Sequence, residues 1–352
     1  MKGKRALPNR EAQVTLKSVA EHLGLTPGTV SAVLNNSAAS RSIPEHTRSR
    51  IIAAARELNY RPNFMARSLR VQRTYTIGVI LEEIGDGYGS MIVSGVEEYL
   101  RERNYLFLTV AHRHDSQLLQ TYSEMLLSRG IEGFLTVDTI LTDVPSLPTV
   151  AVAGHRKLDN VTNIVLDHRH AAEMALQHLK DLGHNQIAFL KGQPESADSG
   201  VRWESICDVA REFDIEIDPG RVVQLTGLDS TPELGYPFGK ELLARRVPFT
   251  ALFAYNDISA IGAMRAFQEA GLRIPQDISI VGFDDIAHAS FCLPSLTTVR
   301  QPLNKMGRTA AETLLARIEG TGDVNGEIAV EPELIIRKST GTAPAQALIV
   351  GK

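Results

Sequence analysis

From Thr76 onward the chain alternates short apolar runs with amphipathic stretches, and this rhythm restricts its fold more than any other feature. "TIGVIL", "YLFLTV", "GFLTVD", "TVAVAG" and "NIVLD" read as strands of five or six residues, each rich in the residues found in sheets covered on both faces. Helical stretches around 93–100, 118–127 and 171–182 interleave with them. The pattern then restarts with "QIAFLKG", a helix over 201–210, "RVVQLT", a helix near 234–243, "TALFAYND", a helix to Ala270 and "DISIVGFDD". Such alternation predicts parallel sheets, and its restart predicts two doubly wound α/β lobes. Ligands in sheets of this kind bind beyond the carboxyl ends of the strands, so two facing lobes create a cleft. Tyr88, the pair Asn256–Asp257 and the run Phe283–Asp284–Asp285 stand at strand ends and are expected to line it.

The first 75 residues are built differently. In "VTLKSVAEHLG", Thr15 is placed to cap a helix whose Leu16, Val19, Ala20 and Leu23 share a face, and Gly24 ends it. In "LGLTPGTVSAVLN", Thr26 caps and Pro27 occupies the first helical position, where its missing N–H costs nothing. Val30, Val33 and Leu34 form the inward stripe, which leaves Pro27, Gly28, Ser31, Ala32 and Asn35 on a small, neutral outer face. Two short helices joined by a tight turn make a helix-turn-helix. A third stripe, Ile51, Ile52, Ala55 and Leu58, closes a small core. A plain three-helix bundle has the same pattern, and charge separates the two readings. Residues 1–75 hold thirteen Lys and Arg against four Asp and Glu, net +9, while the remainder is net −13 and the whole chain −4. A basic head on an acidic body predicts a polyanionic partner, double-stranded DNA.

Other classes are disfavoured. No apolar run approaches the roughly 18 residues needed to cross a bilayer, and "MKGKRALPNREAQ" is basic without the apolar core of a signal peptide. A cytoplasmic protein with no membrane partner is expected. Cys207 and Cys292 are the only cysteines, which argues against a disulfide framework or a cysteine zinc finger. "HRHD" and "DHRH" put His112 with His114, and His168 with His170, at a spacing that shares a strand face and could chelate a metal. No nucleophile-and-base pair or catalytic motif accompanies them, so neither an enzyme, a metal nor a cofactor is expected.

Four segments stand in order along the chain: "VTLKSVAEHLGLTPGTVSAVLN", "ELNYRPNFMARSLR", "LGHNQIAFLKG" and "NDISAIGAMRAFQEAGLRIPQDISIVGFDDIAHASFCLPSLTTVRQPLNKMG". Together they resemble the LacI/GalR family of bacterial transcription regulators over nearly the whole length. The resemblance implies an all-α helix-turn-helix headpiece plus an α/β periplasmic-binding-protein-like regulatory domain of two doubly wound lobes. It divides the chain into a basic arm (1–13), headpiece (14–61), hinge helix and linker (62–75), regulatory domain (76–340) and tail (341–352). Lobe 1 is expected over 76–168 and 297–322, and lobe 2 over 169–296 and 327–340.

The resemblance also assigns roles. The second helix of the motif enters the major groove, with Pro27, Gly28 and Ala32 at base-reading positions. Many relatives carry arginine where this chain has Ala32, so the bidentate guanine contact is absent and thymine methyls and shape are read instead. Thr29, Ser31 and Asn35 are expected to reach phosphates or base edges, with Thr15, Thr26 and Tyr60 also on the DNA side. The loop "NNSAASRS" is longer than usual for the family. In the hinge, Pro62 fixes the start and Asn63 can cap a helix too short to be stable alone. The family pairs two such helices in the minor groove, where Leu69 would wedge between base pairs and Ala66 would permit close packing. For the cleft, the family positions are Arg202 in "VRWES" and Asp257 in "YNDIS", joined by Tyr88, Phe283 and Asp284. A guanidinium and a carboxylate can hold adjacent sugar hydroxyls. Gly89 and Ala153 replace a family aromatic and aspartate, which points to an effector other than the best-known sugars. The expected function is a sequence-specific repressor, homodimeric on a pseudo-palindromic operator and controlled by a sugar or sugar derivative. The alternatives are a sugar-binding transport protein, with no affinity for DNA, and a metal-dependent enzyme, with bound metal.

Overall fold

The computed structural model describes residues 14–61, 68, 71–85, 87–143, 146–227, 231–322 and 326–345. It forms two compact units, one ending at Thr74 and one beginning at Tyr75. The arm and the hinge residues Asn63, Ala66 and Leu69 lie outside the described residues.

The first unit packs α1 (Leu16–Leu23), α2 (Pro27–Leu34) and α3 (Glu45–Glu57). Thr15 Oγ1 accepts from the Ser18 N–H at 3.2 Å and the Ser18 hydroxyl accepts from the Thr15 N–H at 3.3 Å, a reciprocal cap that satisfies two amides. Gly24, at φ +66°, ends α1 in the left-handed conformation that favours glycine. Thr26 Oγ1 caps α2 through the Thr29 N–H at 3.2 Å. Val19, Ala20, Val30, Ile51 and Ala54 are the buried core, ringed by Leu16, Leu23, Val33, Leu34, Leu58 and Tyr60. Two expectations change. Ile52 is 42% exposed and Ala54 is buried in its place, because on a helix 51, 54, 55 and 58 share a face that 52 does not. Ser31 is buried rather than outward. The long loop contains a 3₁₀ turn, Ala38–Ser42, with Ser40 tucked inside.

The second unit contains two six-stranded sheets. Sheet 1 runs β11-β5-β4-β3-β1-β2, built from β1 (Thr76–Leu81), β2 (Leu106–Ala111), β3 (Phe134–Val137), β4 (Thr149–Val152), β5 (Val161–Leu166) and β11 (Gly326–Val330), all parallel. Sheet 2 runs β12-β10-β9-β8-β6-β7, from β6 (Ile187–Lys191), β7 (Val222–Gln224), β8 (Ala251–Ala254), β9 (Ser279–Asp284), β10 (Thr297–Arg300) and β12 (Glu333–Ile335), with only β12 antiparallel. In chain order the helices are α4 (Gly87–Glu102), α5 (Ser116–Ser128), α6 (His168–Asp181), α7 (Ala197–Glu212), α8 (Gly235–Ala244), α9 (Asp257–Glu269), α10 (Ala287–Phe291) and α11 (Leu303–Ile318). A continuous buried cluster takes in Ile77, Val79 and Leu135 of lobe 1 with Phe189, Phe253 and Phe283 of lobe 2.

The lobe boundaries differ from expectation. The chain crosses between lobes after β5, after β10 and between β11 and β12. Residues 297–300 therefore belong to lobe 2, as β10 pairs with β9, and 326–330 to lobe 1, as β11 pairs with β5. An apolar run marks a strand but does not name its partner. Gly341–Ala343 is not a free tail: the Gly341 carbonyl accepts from His184 Nε2 at 3.0 Å and the Ala343 N–H donates to the Leu182 carbonyl at 2.8 Å.

Candidate functional site

On the headpiece, Pro27 and Gly28 are exposed at the start of α2, with Thr29 and Ala32 half-buried beside them. A Cβ at Gly28 would meet nothing closer than Thr26 Oγ1 at 3.8 Å, so the surface there is open to close approach. Asn35 Nδ2 donates to the Ser31 carbonyl at 2.8 Å and to Ser31 Oγ at 3.1 Å, which binds both side chains into the end of α2. The outer face is thus Pro27, Gly28, Thr29 and Ala32, with Ser31 withdrawn. Thr15 and Thr26 hold their helix caps, and Tyr60 packs against the headpiece core, where burial raises its pKa. Lys17, Arg41, Arg50, Arg56 and Arg61 are exposed on the same unit.

In the second unit, strand order reverses between β3 and β1 in sheet 1 and between β8 and β6 in sheet 2. Ligands of open α/β sheets sit outside the strand ends at such switch points. Here the two switch points interlock. Asp138, just beyond β3, accepts from the Ala197 N–H at 2.7 Å, capping α7 of the other lobe. Ser196 Oγ donates to Asp138 at 2.9 Å and lies 2.6 Å from Tyr255 Oη, just beyond β8. A Cβ at Gly87 would run into Ile286, so the start of α4 also touches the opposite lobe closely. Non-glycine residues adopt left-handed backbones at three of these strand ends: Asp138 (φ 43°), Ala153 (58°) and the pair Asp284 (106°) and Asp285 (58°). Strain of this kind concentrates at ligand sites.

Arg202, on α7, is buried at the centre. Its guanidinium lies 3.8 Å from the Phe283 ring centroid and 4.5 Å from that of Tyr255. Nη1 donates to the Tyr255 carbonyl at 2.7 Å and Nη2 to Asp198 Oδ2 at 2.9 Å. Asp198 Oδ1 faces His155 Nε2 at 2.6 Å and His168 Nε2 at 3.1 Å. Burial alone would raise the Asp198 pKa, but His168, His155 and Arg202 together hold it well below the usual carboxylate range. Tyr88 stands close enough to feel Asp198, Asp138, Asp284 and Arg202, and burial with those carboxylates pushes its phenol well up. Asp284 accepts from Gln301 Nε2 at 2.7 Å. Three atoms of this group, Tyr88 Oη, Arg202 Nε and Gln301 Oε1, are buried without a hydrogen-bond partner among the described residues.

The structure thus brings Tyr88, Arg202, Phe283 and Asp284 together. Asp257 is different. It is fully buried, Oδ1 accepts from Thr298 Oγ1 at 2.6 Å and Oδ2 from the Ile286 N–H at 2.9 Å, so it ties α9 to β10 and the β9–α10 loop instead of facing a ligand. Nor is it the cap of α9; Asn256 is, through the Ser259 N–H at 2.9 Å. Neither histidine pair shares a strand face, although the His112 and His114 rings stay edge-on at 6.2 Å. His168 and His170 lie on a helix, not a strand, with His170 exposed, while His112 bonds Thr139 at 3.1 Å and His114 bonds Glu82. Sequence reasoning missed Asp138, Ser196, Asp198, His155 and Gln301. Asp138, at the end of "GFLTVD", carried a signal by position; the others become neighbours only through the meeting of the lobes.

Residues 15–63 match the model of bacterial regulatory proteins of the lacI family, and residues 176–340 that of a periplasmic binding protein-like domain. The chain is 33% identical over 338 residues to the HTH-type transcriptional repressor PurR of Haemophilus influenzae, covering 92% of this chain and 98% of that protein. The PurR of Pectobacterium atrosepticum is 32% identical, covering 94% and 98%. Among solved structures, a Lac repressor dimer bound to operator and the anti-inducer ONPF superposes with a TM-score of 0.83 at 28% identity, covering 94% of this chain and 99% of that one. A complex of the transcriptional regulator CelR with cellobiose gives 0.69 at 27% identity, covering 93% and 100%. With the helix-turn-helix segment matched and a repressor relative one-third identical over nearly the whole of both chains, the chain belongs to the LacI family of bacterial regulatory proteins.

Proposed function

We propose that the protein represses transcription by binding operator DNA as a homodimer, and that a carbohydrate or similarly polar small molecule between the lobes controls that grip. The DNA-binding half of this reading is supported by the helix-turn-helix, the net charge of +9 in residues 1–75 and the repressor relatives. A Lac repressor dimer on operator and a CelR–cellobiose complex, both with this fold, support the dimer and the carbohydrate class. Such a regulator works where the DNA is, in the cytoplasm. No helix among the described residues is long and apolar enough to cross a membrane.

The observation that carries the effector assignment is the set of unpartnered buried atoms, Tyr88 Oη, Arg202 Nε and Gln301 Oε1, around the acidic group at the switch points. Leaving such an atom unpaired costs about 1 to 3 kcal/mol each, a cost removed by a ligand that supplies hydroxyl or carbonyl partners. Tyr88, Arg202, Asp284 and Gln301 are therefore assigned to effector contact, with Phe283 as the apolar support of the guanidinium. Pro27, Gly28, Thr29 and Ala32 are assigned to the groove face of α2, and Leu69 and Ala66 to a hinge pair. The test is a thermal-shift screen of sugars and nucleobases, followed by operator binding with each hit. A ligand that stabilises the protein and changes operator affinity, with both effects lost in Arg202→Met, is the expected result. Hits whose effect survives that substitution refute the site.

A further inference from the structure

The Arg202 network contains a second constellation that the effector reading does not use. One ligand atom from each of His155, His168 and Asp198 lies within 4.8 Å of the others, and both imidazoles direct Nε2 at Asp198 Oδ1. The three come from separate places: His155 follows β4 in lobe 1, His168 opens α6 directly after the first lobe crossing, and Asp198 lies in the first turn of α7 in lobe 2. We infer that these residues form a three-ligand site for a divalent transition-metal ion that clasps the two lobes together.

Two imidazoles and one carboxylate are a donor set for Zn²⁺, Co²⁺ or Ni²⁺, whereas Mg²⁺ and Ca²⁺ prefer oxygen ligands. Tetrahedral coordination with bonds of about 2.0 to 2.1 Å needs donors roughly 3.3 Å apart. From the observed 3.1 Å, His168 reaches that separation with a shift of about 0.2 Å, and from 2.6 Å the partly exposed His155 reaches it by drawing back about 0.7 Å. Arg202 Nη2, on Asp198 Oδ2, leaves Oδ1 turned to the histidines, the outer support that a ligating carboxylate needs. The charges around the carboxylate are mixed: Asp138 stands beside it at the start of α7, and Arg202 pairs with its other oxygen. Access exists: His155 keeps 18% of its side chain exposed and lines a cavity of about 240 Å³ with Gly154, Arg156, Ser196, Ala197 and Gly200. Three protein ligands leave a fourth position for water or an oxygen of a second molecule. Because the ligands bridge the lobes, the ion favours the lobe arrangement in which the three side chains meet and gives the regulator a second input beside its organic effector.

The site does not depend on which organic effector binds, and metal alone is the probe. Titration of the untagged, full-length, chelator-treated protein with Co²⁺, read by visible ligand-field absorption and by calorimetry, is expected to saturate at one ion per chain and to raise Tm. His155→Ala, a change at a partly exposed loop residue, is expected to weaken binding at least about tenfold and abolish the Tm rise while the metal-free protein keeps the wild-type circular dichroism. His168→Gln is expected to do the same; if it fails to fold, His155→Gln takes its place. His170→Ala, at an exposed histidine two residues away, is expected to bind as wild type. No saturable binding, or binding that survives His155→Ala, overturns the proposal, and neither result bears on the effector screen run with chelator present.

Discussion

Replacing Asp257 by alanine and by asparagine separates a structural tie from an effector ligand. The carboxylate is 0% exposed and accepts two hydrogen bonds, from Thr298 Oγ1 at 2.6 Å and the Ile286 N–H at 2.9 Å. A Cβ on Gly282 would run into Asp257 Oδ1, so the carboxylate fits tightly against β9. Alanine removes both acceptors. The stranded amide and hydroxyl each cost about 1 to 3 kcal/mol, partly offset because burial and repulsion from Asp284 already strain the carboxylate. A net loss of about 2 to 4 kcal/mol follows. Asparagine can accept from Ile286 with its carbonyl and donate to the Thr298 hydroxyl, which rotates, so it should cost less than about 1 kcal/mol. The pH dependence has a definite sign. Burial, with Asp284, holds the Asp257 pKa well above its unfolded value, so the wild-type contribution is fully present below about pH 4 and declines as pH rises through the folded value. Asparagine does not titrate, so its variant gains on wild type from pH 5 to pH 8. Urea unfolding read by Trp203 fluorescence reports this lobe directly, because Trp203 is the chain's single tryptophan and packs edge-on against Phe189 at 5.8 Å. Equal damage from both variants, or a stable alanine variant, would refute the tie. An asparagine variant that folds normally but ignores the effector would return Asp257 to the binding site.

Tyr88→Phe should leave the ligand-free protein as stable as wild type or slightly more so, because the lost hydroxyl is unpartnered, yet weaken effector binding about tenfold. Parallel thermal-shift and affinity measurements check both halves, and unchanged effector affinity counts against the site. Operator binding should fall steeply with salt: with about six phosphate contacts drawn from the basic head, affinity drops roughly a thousandfold between about 50 and 200 mM. A flat salt titration contradicts a charge-driven headpiece. His184 bonds Thr250, Ser279 and the Gly341 carbonyl, and burial lowers its pKa, so acidification through about pH 6.5 protonates the unfolded chain first and stability falls. His184→Gln should be less stable at pH 7.5 by about 1 to 3 kcal/mol but lose less on going to pH 5; parallel pH profiles of the two proteins would disprove this.

What was legible in the sequence was local. Thr15, Thr26, Pro27 and Gly24 set helix ends through bonds and backbone preferences within three or four residues, and the structure repeats them. The strand–helix alternation after Thr76 likewise needs nothing beyond side-chain period, so the two lobes and strand ends such as Phe283–Asp284 could be read, whereas Arg202, on a helix, was marked only by the family resemblance. Partnership was not legible. β10 (TTVR) and β11 (GEIAV) are short strands with a weak apolar pattern, and their sheet depends on which way the chain crosses, so the expected lobe boundaries failed there. Asp257 looks in sequence like an available carboxylate after a strand, and only its packing against Thr298, Ile286 and Gly282 closes it off. His155, His168 and Asp198 are 13 to 43 residues apart and converge because two lobes close on each other. Periodicity fixes which face of an element is apolar, but burial, pairing and the meeting of charges depend on contacts distant in sequence, and those were decided only when the lobes packed together.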